Sequence, residues 1–253
     1  MTPAASGAEP PGARDEATAG NAVQSMFNSI APHYDLLNHV LSANVDRIWW
    51  RRTARTFLPI LRNPAAKVLD MCCGTGDMAL ALLQIRPVDG EPVLALDFAQ
   101  AMLARAQKKF SARGFSSSQV VTLEADALHM PLAAGSLDLV TTAFGFRNLA
   151  NYDTGLREIH RVLRPGGELG ILDFSEPQGA IGVFYQLYFR HILPRIGKIL
   201  SGSSASYEYL PRSVHRFPPP EEMLAMMRGC GFSHVTWTPY TFGIAGLYRA
   251  VKA

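Results

Sequence analysis

The spacing of apolar residues predicts that strands and helices alternate from residue 66 onward. Five short β-type runs are expected, at residues 66–71, 92–96, 120–124, 137–143 and 168–174. Helical spacing occurs between them, at residues 77–85, 99–113 and 154–163, and Pro165-Gly166-Gly167 is expected to stop the last helix. This alternation predicts an α/β fold in which helices cover both faces of a parallel sheet through right-handed crossovers.

The end of the chain follows a different pattern. A helix expected at residues 221–228 precedes two β-type runs at 233–240 and 244–251, which are separated by only three residues. A connection this short permits an antiparallel pair and excludes a parallel crossover. We therefore expect a sheet of seven strands, mostly parallel and finished by one antiparallel strand.

The segment before the sheet divides into two parts. Residues 1–20 are rich in Ala, Gly, Pro and Glu and contain no apolar run, which predicts a disordered tail and argues against a signal peptide. Residues 23–61 are helical in pattern and rich in aromatic side chains, too many to form a trivial extension. Residues 21–62 are therefore treated as a separate N-terminal helical unit, followed by the main domain at 63–253.

Composition limits the function classes. With 253 residues, of which 48% are hydrophobic, the chain can bury a full core. No run of roughly 18 uncharged apolar residues occurs, so a membrane-spanning helix is not expected. Cys72, Cys73 and Cys230 show neither disulfide nor metal-site spacing, which fits a reducing cytoplasm. The net charge of +3 is too small to indicate nucleic-acid binding.

The first strand ends in a glycine-rich loop, residues 72–77 (CCGTGD). A strand that ends in such a turn and opens a helix forms a site for an anion or a polar ligand, because the helix N-terminus supplies free N–H groups. Residues 74–79 fit the pattern GxGxxA, and Asp97 lies about 20 residues beyond it. The same pattern is typical of dinucleotide-binding proteins, so an NAD enzyme stays open on this motif alone.

Carboxylates at successive strand ends favour a different ligand. Asp70 stands directly before the loop, where it would receive the ammonium of a methionine group and repel a pyrophosphate. Asp126 and Ala127 follow the third strand, where the carboxylate would accept a hydrogen bond from an adenine amino group. Residues 161–167 (RVLRPGG) connect the last crossover helix to its strand.

Over residues 66–175, this series of signals resembles the class I S-adenosylmethionine methyltransferase superfamily. The resemblance implies a Rossmann-like α/β fold and S-adenosyl-L-methionine as the cofactor. It further implies roles for the cofactor-binding residues. Gly74, Thr75 and Gly76 would line the methionine end, Asp97 would hold the ribose hydroxyls, and Asp126 and Ala127 would flank the adenine.

Five positions near the cofactor have separate interpretations. Phe98 and Met130 would pack on the adenine faces, with ordinary core packing as the alternative for both. Many relatives have a third glycine before the loop motif, where this chain has Cys72 and Cys73. Ala143 would lie near the cofactor, where some relatives place a serine.

Further motifs narrow the resemblance to one family. These are residues 26–38 (MFNSIAPHYDLLN), 144–148 (FGFRN), 173–175 (DFS), 207–210 (YEYL) and 243–248 (GIAGLY). Together, from about residue 23 to 250, they resemble the ubiquinone/menaquinone biosynthesis C-methyltransferases. The resemblance implies methyl transfer to a ring carbon of a prenylated hydroquinone, most simply demethylmenaquinol. It also implies that residues 21–62 form a lid and that the main domain carries a helical insertion at about 178–215.

The ring carbon of a hydroquinone is a poor nucleophile until a neighbouring hydroxyl, with a pKa near about 10, loses its proton. Arg147 follows the fourth strand and is predicted to stabilise the developing phenolate, directly or through a water, with Asn148 orienting a ring oxygen. A structural salt bridge is the alternative for Arg147. Tyr34 and Asp35 are predicted to close the site, and His33 would be a base or a surface residue. Tyr207 and Tyr209 would shape the ring pocket or pack in the core.

Residues 181–200 are apolar, aromatic and basic without a carboxylate, which predicts peripheral contact with a membrane or, alternatively, a cover over the substrate pocket. The sequence leaves a homodimer open. It also leaves open the ubiquinone precursor as substrate, another phenol or a sterol-like lipid, and a non-catalytic scaffold in quinone synthesis.

Overall fold

The computed structural model describes residues 7–10, 13–31, 44–177 and 212–253. The α-helices described from end to end are α1 (Glu16–Ile30), α2 (Asp46–Thr56), α3 (Leu58–Leu61), α4 (Asp77–Leu83), α5 (Gln100–Ala112), α6 (Tyr152–Val162) and α7 (Pro220–Gly229). The described strands are β1 (Val68–Met71), β2 (Val93–Asp97), β3 (Val120–Glu124), β4 (Leu137–Ala143), β5 (Leu163–Phe174), β6 (Phe232–Tyr240) and β7 (Ala245–Lys252). Short 3-10 turns occur at Phe146–Asn148 and Thr241–Gly243.

The strands form one seven-stranded sheet in the order β3-β2-β1-β4-β5-β7-β6. β7 is antiparallel to both of its neighbours, and the other pairings are parallel. The predicted single reversed strand is confirmed: it is β7, the last strand along the chain, and it lies between β5 and β6. The burial patterns agree with this order: β7 is buried on both faces over its first four residues, whereas β6 alternates between partly buried and exposed positions over residues 233–238, as an edge strand does.

Two large hydrophobic clusters occupy the two faces of the sheet. The buried residues of the first cluster include Trp49, Leu82, Phe110 and Leu247. Those of the second cluster include Leu69, Tyr152, Ile171 and Tyr248. β1 is buried along its whole length because both faces of it are covered. The predicted covered parallel sheet is therefore confirmed.

The junction between α6 and β5 differs from the predicted one. α6 ends at Val162, and β5 begins at Leu163, five residues before the expected start at Glu168. Leu137 pairs with Leu163, but the next pairing joins Leu139 to Glu168, so the residues between them bulge out of the ladder. Gly166 has a φ of +77°, which glycine adopts readily.

Helix α1 begins inside the segment that the sequence predicts as a tail. Asp15 is its N-cap, and a reciprocal pair of hydrogen bonds with Thr18 forms a capping box. Ala8, earlier in the chain, is 4% exposed. The predicted limit of the tail at residue 20 is therefore corrected, since residues 16–20 are helical. Across the described segments, every helix is too short or too polar to span a bilayer.

Candidate active site

The order of the sheet reverses between β1 and β4: β2 and β3 continue on one side of β1, and β5 continues beyond β4. Such a point opens a crevice at the carboxyl ends of the strands. A cavity of about 480 Å³ lies there. Nine of the predicted site residues line it: Asp70, Gly74, Thr75, Asp97, Phe98, Asp126, Ala127, Ala143 and Asn148. Gly76 and Arg147 are not among the lining residues.

Asp70 is fully buried at the wall of this cavity. Its Oδ1 accepts a hydrogen bond from the Thr141 hydroxyl at 3.1 Å, and among the described residues its Oδ2 has no hydrogen-bond partner. Burial raises the pKa of the Asp70 carboxyl to about 8. An unpaired buried carboxylate oxygen is costly. Its position facing the cavity therefore fits a cationic group, such as the ammonium of a methionine moiety.

The backbone of the glycine loop is tightly constrained. Cys72 has a φ of +55°, a left-handed conformation that favours glycine. Gly76 has a φ of +87°, and a Cβ there would stand 2.6 Å from the ring of Phe110. Gly76 therefore permits the close packing of the loop on α5 and does not itself line the cavity.

Asp97 connects the end of β2 to the loop after β1. Its Oδ2 accepts from the Gly74 N–H at 2.8 Å, and its Oδ1 accepts from the Ala99 N–H at 2.9 Å. Burial raises the pKa of Asp97 to about 6. Each oxygen retains a further acceptor site, because a carboxylate offers about four. A fixed carboxylate of this kind fits the two adjacent hydroxyls of a ribose.

The predicted adenine end of the site consists of Asp126, which is half exposed, and of Ala127 and Phe98, which are more deeply buried. Asp126 accepts from the Leu128 N–H at 2.9 Å and contacts the His129 ring at 3.1 Å, with about half of its side chain exposed. Ala127 is buried, and Phe98 is partly buried at the cavity wall. Met130 belongs to the buried core and is not a lining residue, which agrees with its alternative interpretation as core packing.

Helix α1 extends over the cavity and is attached to both sides of it. In its second half, Gln24 Nε2 donates to the Phe98 carbonyl at 2.5 Å, and Asn28 Oδ1 accepts from the Ala101 N–H at 3.1 Å. At its first turn, Glu16 accepts from Asn151 at 2.7 Å. Periodicity places α1 in the sequence but does not reveal these attachments, so the lining residues of α1 were missed.

Two further contacts at the site were also missed. Lys109 Nζ donates to the Thr75 hydroxyl and the Asp77 carboxylate, each at 3.0 Å, which supports the loop from behind. Gly145 lies against the opposite side of the loop, where a Cβ would stand 2.4 Å from the Cβ of Cys72. The glycine in the FGFRN motif was a signal for this close approach, but its partner was not predictable.

Arg147 is directed into the protein. Its Nη1 donates to Asp173 Oδ1 at 2.7 Å, and its backbone N–H donates to Asp173 Oδ2 at 3.1 Å. Both side chains are buried, at 7% and 0% exposure. This geometry is the structural salt bridge that the sequence left as the alternative. Asn148, by contrast, lines the cavity and donates to the Phe144 carbonyl at 3.3 Å.

Several predicted residues lie outside the described part of the chain. They are His33, Tyr34, Asp35, Tyr207, Tyr209 and residues 181–200.

A family model described as the ubiE/COQ5 methyltransferase family matches residues 14–252. The chain belongs to this family. Among its relatives, the demethylmenaquinone methyltransferase of Thermus thermophilus is 46% identical over 88% of this chain and 98% of its own length. The protein of that name from Deinococcus radiodurans is 46% identical over 94% and 95% of the two chains. The ubiquinone/menaquinone biosynthesis C-methyltransferase UbiE of Geotalea daltonii is 38% identical over 92% and 97%.

Solved structures with low sequence identity share the fold. A SAM-dependent methyltransferase from Aquifex aeolicus is 19% identical, with a TM-score of 0.56 over 76% of this chain and 85% of that one. The [4+2]-cyclase SpnF is also 19% identical, with a TM-score of 0.59 over 80% and 81%. A fold hosts more than one chemistry, so membership of the methyltransferase family, rather than the fold, indicates S-adenosylmethionine as the cofactor. The unpaired oxygen of Asp70 and the fixed carboxylate of Asp97 fit it.

Proposed function

We propose that the protein transfers the methyl group of S-adenosylmethionine to a ring carbon of a prenylated hydroquinone, and that demethylmenaquinol is its substrate. The proposal rests on one observation in a chain of this family. The same cavity is lined by Asp70, whose buried Oδ2 has no hydrogen-bond partner among the described residues, and by the amide of Asn148. The names of the two relatives at 46% identity favour the menaquinone precursor over the ubiquinone precursor.

Residues at and just beyond the carboxyl ends of β1, β2 and β3 bind the cofactor in this proposal. Asp70 receives the ammonium, Gly74 and Thr75 contact the methionine moiety, and Asp97 accepts from the ribose hydroxyls. Asp126 and Ala127 flank the adenine. The bound cofactor supplies an electrophilic methyl group on a sulfonium, so the main task of the protein is to align the two reactants and exclude water.

The acceptor ring occupies the part of the cavity next to β4. Asn148 orients a ring oxygen, and the aromatic side chain of Phe144, whose backbone has a φ of +58°, forms an adjoining wall. The Phe144 ring is 4.5 Å from that of Phe174 and 5.8 Å from that of Trp49, measured between ring centroids. An apolar aromatic wall suits the flat ring of a quinol.

Arg147 acts as a positioning residue in this proposal. Its Nη1 donates to the Phe144 carbonyl at 2.5 Å, and Asn148 donates to the same oxygen. The buried pair with Asp173 thus fixes the loop that presents Asn148. Contact of Arg147 with the phenolate, as the sequence suggested, is replaced here by this indirect role.

Contact with a membrane through residues 181–200 stays a proposal, based on their apolar, aromatic and basic composition. The role of Tyr34 in closing the site also stays a proposal, and it too is based on the sequence.

The test incubates the purified full chain and S-adenosylmethionine with each of the two reduced prenylated precursors and measures methylated product by mass. We expect one added methyl on demethylmenaquinol and a turnover about a hundredfold lower for Asn148→Ala, with unchanged affinity for S-adenosylhomocysteine. Gln107→Ala, an exposed amide on α5, is the control and should retain activity. Binding of S-adenosylhomocysteine without methylation of either quinol would refute the proposal that a prenylated hydroquinone is the substrate. Absence of binding would favour the alternative that the protein is a non-catalytic scaffold in quinone synthesis.

A further inference from the structure

One face of α2 is strongly basic and carries an exposed apolar side chain. Arg47, Ile48, Arg51, Arg52 and Arg55 are exposed and fall within an arc of roughly 140° of the helix. The helix contains one carboxylate, Asp46, which is buried at 3% exposure. The face therefore presents four positive charges, and within the described segments none of these arginines forms an ion pair with a carboxylate.

An exposed aromatic residue stands beside this face. Phe242 is 78% exposed, and Ile48 is 62% exposed. Trp49 Nε1 donates to the Thr241 hydroxyl at 2.8 Å, and the Arg52 guanidinium lies 4.2 Å from the centre of the Tyr240 ring. These contacts hold the turn that carries Phe242 against α2.

The backbone of that turn is strained. Thr241 and Phe242 have φ values of +44° and +58°, although neither is glycine. Bulky residues rarely adopt this conformation, and such strain persists only where the surrounding structure enforces it, often at functional sites. A strained aromatic residue that packed into the core would gain burial in return. Phe242 gains almost none, so a contact outside the chain accounts better for its display.

The turn lies at the same edge of the sheet as the cavity. Ala245, which follows it, pairs with Phe174 at the carboxyl end of β5, and Ala143 ends β4 at that edge. Trp50, two residues after Ile48, lines the cavity. The basic and apolar surface therefore adjoins the rim of the site.

We propose that Arg47, Ile48, Arg51, Arg52, Arg55 and Phe242, here called the docking patch, bind the surface of a bilayer that contains anionic lipids. Arginines attract the headgroups, while the isoleucine and phenylalanine side chains enter the interface. Protruding apolar side chains are unsuited to a nucleic-acid backbone, which would be bound by the arginines alone. The reason for docking rests on the proposed function, since a prenylated acceptor resides in the bilayer next to the cavity rim.

The test measures flotation of the full chain with vesicles of phosphatidylcholine, with and without phosphatidylglycerol. We expect binding that requires the anionic lipid and weakens with salt. Arg51→Glu with Arg55→Glu should lower the partition coefficient at least about tenfold, and Phe242→Ser should lower it about tenfold at constant charge. The matched control, Lys108→Glu with Arg113→Glu, makes the same charge change at the exposed end of α5 and should retain binding within about threefold.

Unchanged vesicle binding by both patch variants would overturn the docking patch, as would absence of binding by the wild-type chain. A loss with the arginine variant alone would also overturn it, since simple charge attraction or a nucleic acid would then explain the surface. Sedimentation of the same variants tests a second copy as the occupant: a change in mass without a change in vesicle binding contradicts the proposal. Vesicle binding needs no turnover, so docking without methyl transfer would refute only the proposed function.

Discussion

Gly145 lies so close to Cys72 that a Cβ on the glycine would stand 2.4 Å from the Cβ of the cysteine. The two residues belong to the loops that follow β4 and β1, which are neighbouring strands. The loop assigned to the acceptor and the loop assigned to the cofactor are therefore in contact through bare backbone at Gly145. A displacement of one loop must displace the other. The Cβ of Cys72 packs directly on Gly145, and each loop is held by the end of its strand, so neither can move far alone.

Gly145→Ala should push the cofactor loop out of position. We expect the free energy of unfolding to fall by about 1–3 kcal/mol and the dissociation constant for S-adenosylhomocysteine to rise at least about tenfold. Calorimetry and thermal unfolding measure both effects. Gly229→Ala is the control, because no atom of the described residues outside the helix's own backbone and the two chain neighbours lies within 4 Å of a Cβ at that position. Adding Cys72→Gly to Gly145→Ala should restore part of the affinity, and failure to do so would contradict steric coupling of these loops.

Asp70→Asn should weaken cofactor binding and stabilise the ligand-free protein at alkaline pH. The folded-state pKa is raised to about 8, above an unfolded value of about 3.9. The contribution of Asp70 to stability is therefore present below about pH 4 and is lost as the pH rises toward 8. Thermal unfolding between about pH 6 and pH 9 should show a higher midpoint for the variant at the alkaline end.

Cofactor binding should also release a proton from Asp70 at neutral pH, because an ammonium ligand requires the ionised carboxylate. Calorimetry in buffers of different ionisation enthalpy measures this release. Asp70→Asn should abolish it and weaken binding by about ten- to a hundredfold. If proton release persisted in the variant, the proton would come from a group other than Asp70. Asp97, whose pKa is about 6, would be the first candidate.

Removal of either partner of the Arg147–Asp173 pair should destabilise the fold, since it leaves the other charge buried and uncompensated. We expect Arg147→Met and Asp173→Leu each to cost about 3–5 kcal/mol, and the double variant to cost less than the sum. Urea unfolding measures this cycle. Arg157→Met, at an exposed pair with Asp153, is the control and should cost less than about 1 kcal/mol.

The same variants separate the positioning role from direct catalysis. If Arg147 acts through the Phe144 carbonyl, the double variant should bind S-adenosylhomocysteine but turn over slowly, and Arg147→Lys should recover part of kcat without changing the pH profile. A shift of the pH profile toward higher pH in Arg147→Lys would instead indicate contact with the phenolate.

Gln24→Ala combined with Asn28→Ala should loosen α1 over the cavity. Two hydrogen bonds to the chain after β2 are lost, each worth about 0.5–1.5 kcal/mol, so the cofactor should dissociate roughly tenfold faster. Stopped-flow displacement of S-adenosylhomocysteine measures the rate. Ser29→Ala is the control because, among the described residues, its hydroxyl bonds to the Met26 carbonyl within α1 and to no other group. An unchanged dissociation rate would mean that α1 does not retain the cofactor.

The sequence determined most of the sheet and one side of the site. Residues 120–124 and 137–143 were predicted as strands with the limits that the structure shows, because both are short runs rich in β-branched and other apolar residues, although β3 is a partly exposed edge strand and only β4 is largely buried. Asp70 and Asp97 lie at the carboxyl ends of β1 and β2, Asp126 follows β3, and the parallel order brings these strand ends to one edge. Local pattern was sufficient for these features, since it depends on neighbours along the chain.

Tertiary structure alone decided how distant residues pair. The sequence did not show that β7 inserts between β5 and β6, that Gly145 contacts Cys72, or that Arg147 turns inward to Asp173 rather than toward the cavity. Pairing across the sheet depends on which faces are buried together, and an arginine chooses its partner by burial and distance. The spacing of residues along the chain predicts neither the pairing of the strands nor the partner of the arginine. Both are decided only when strands that are far apart in the chain become neighbours in the sheet.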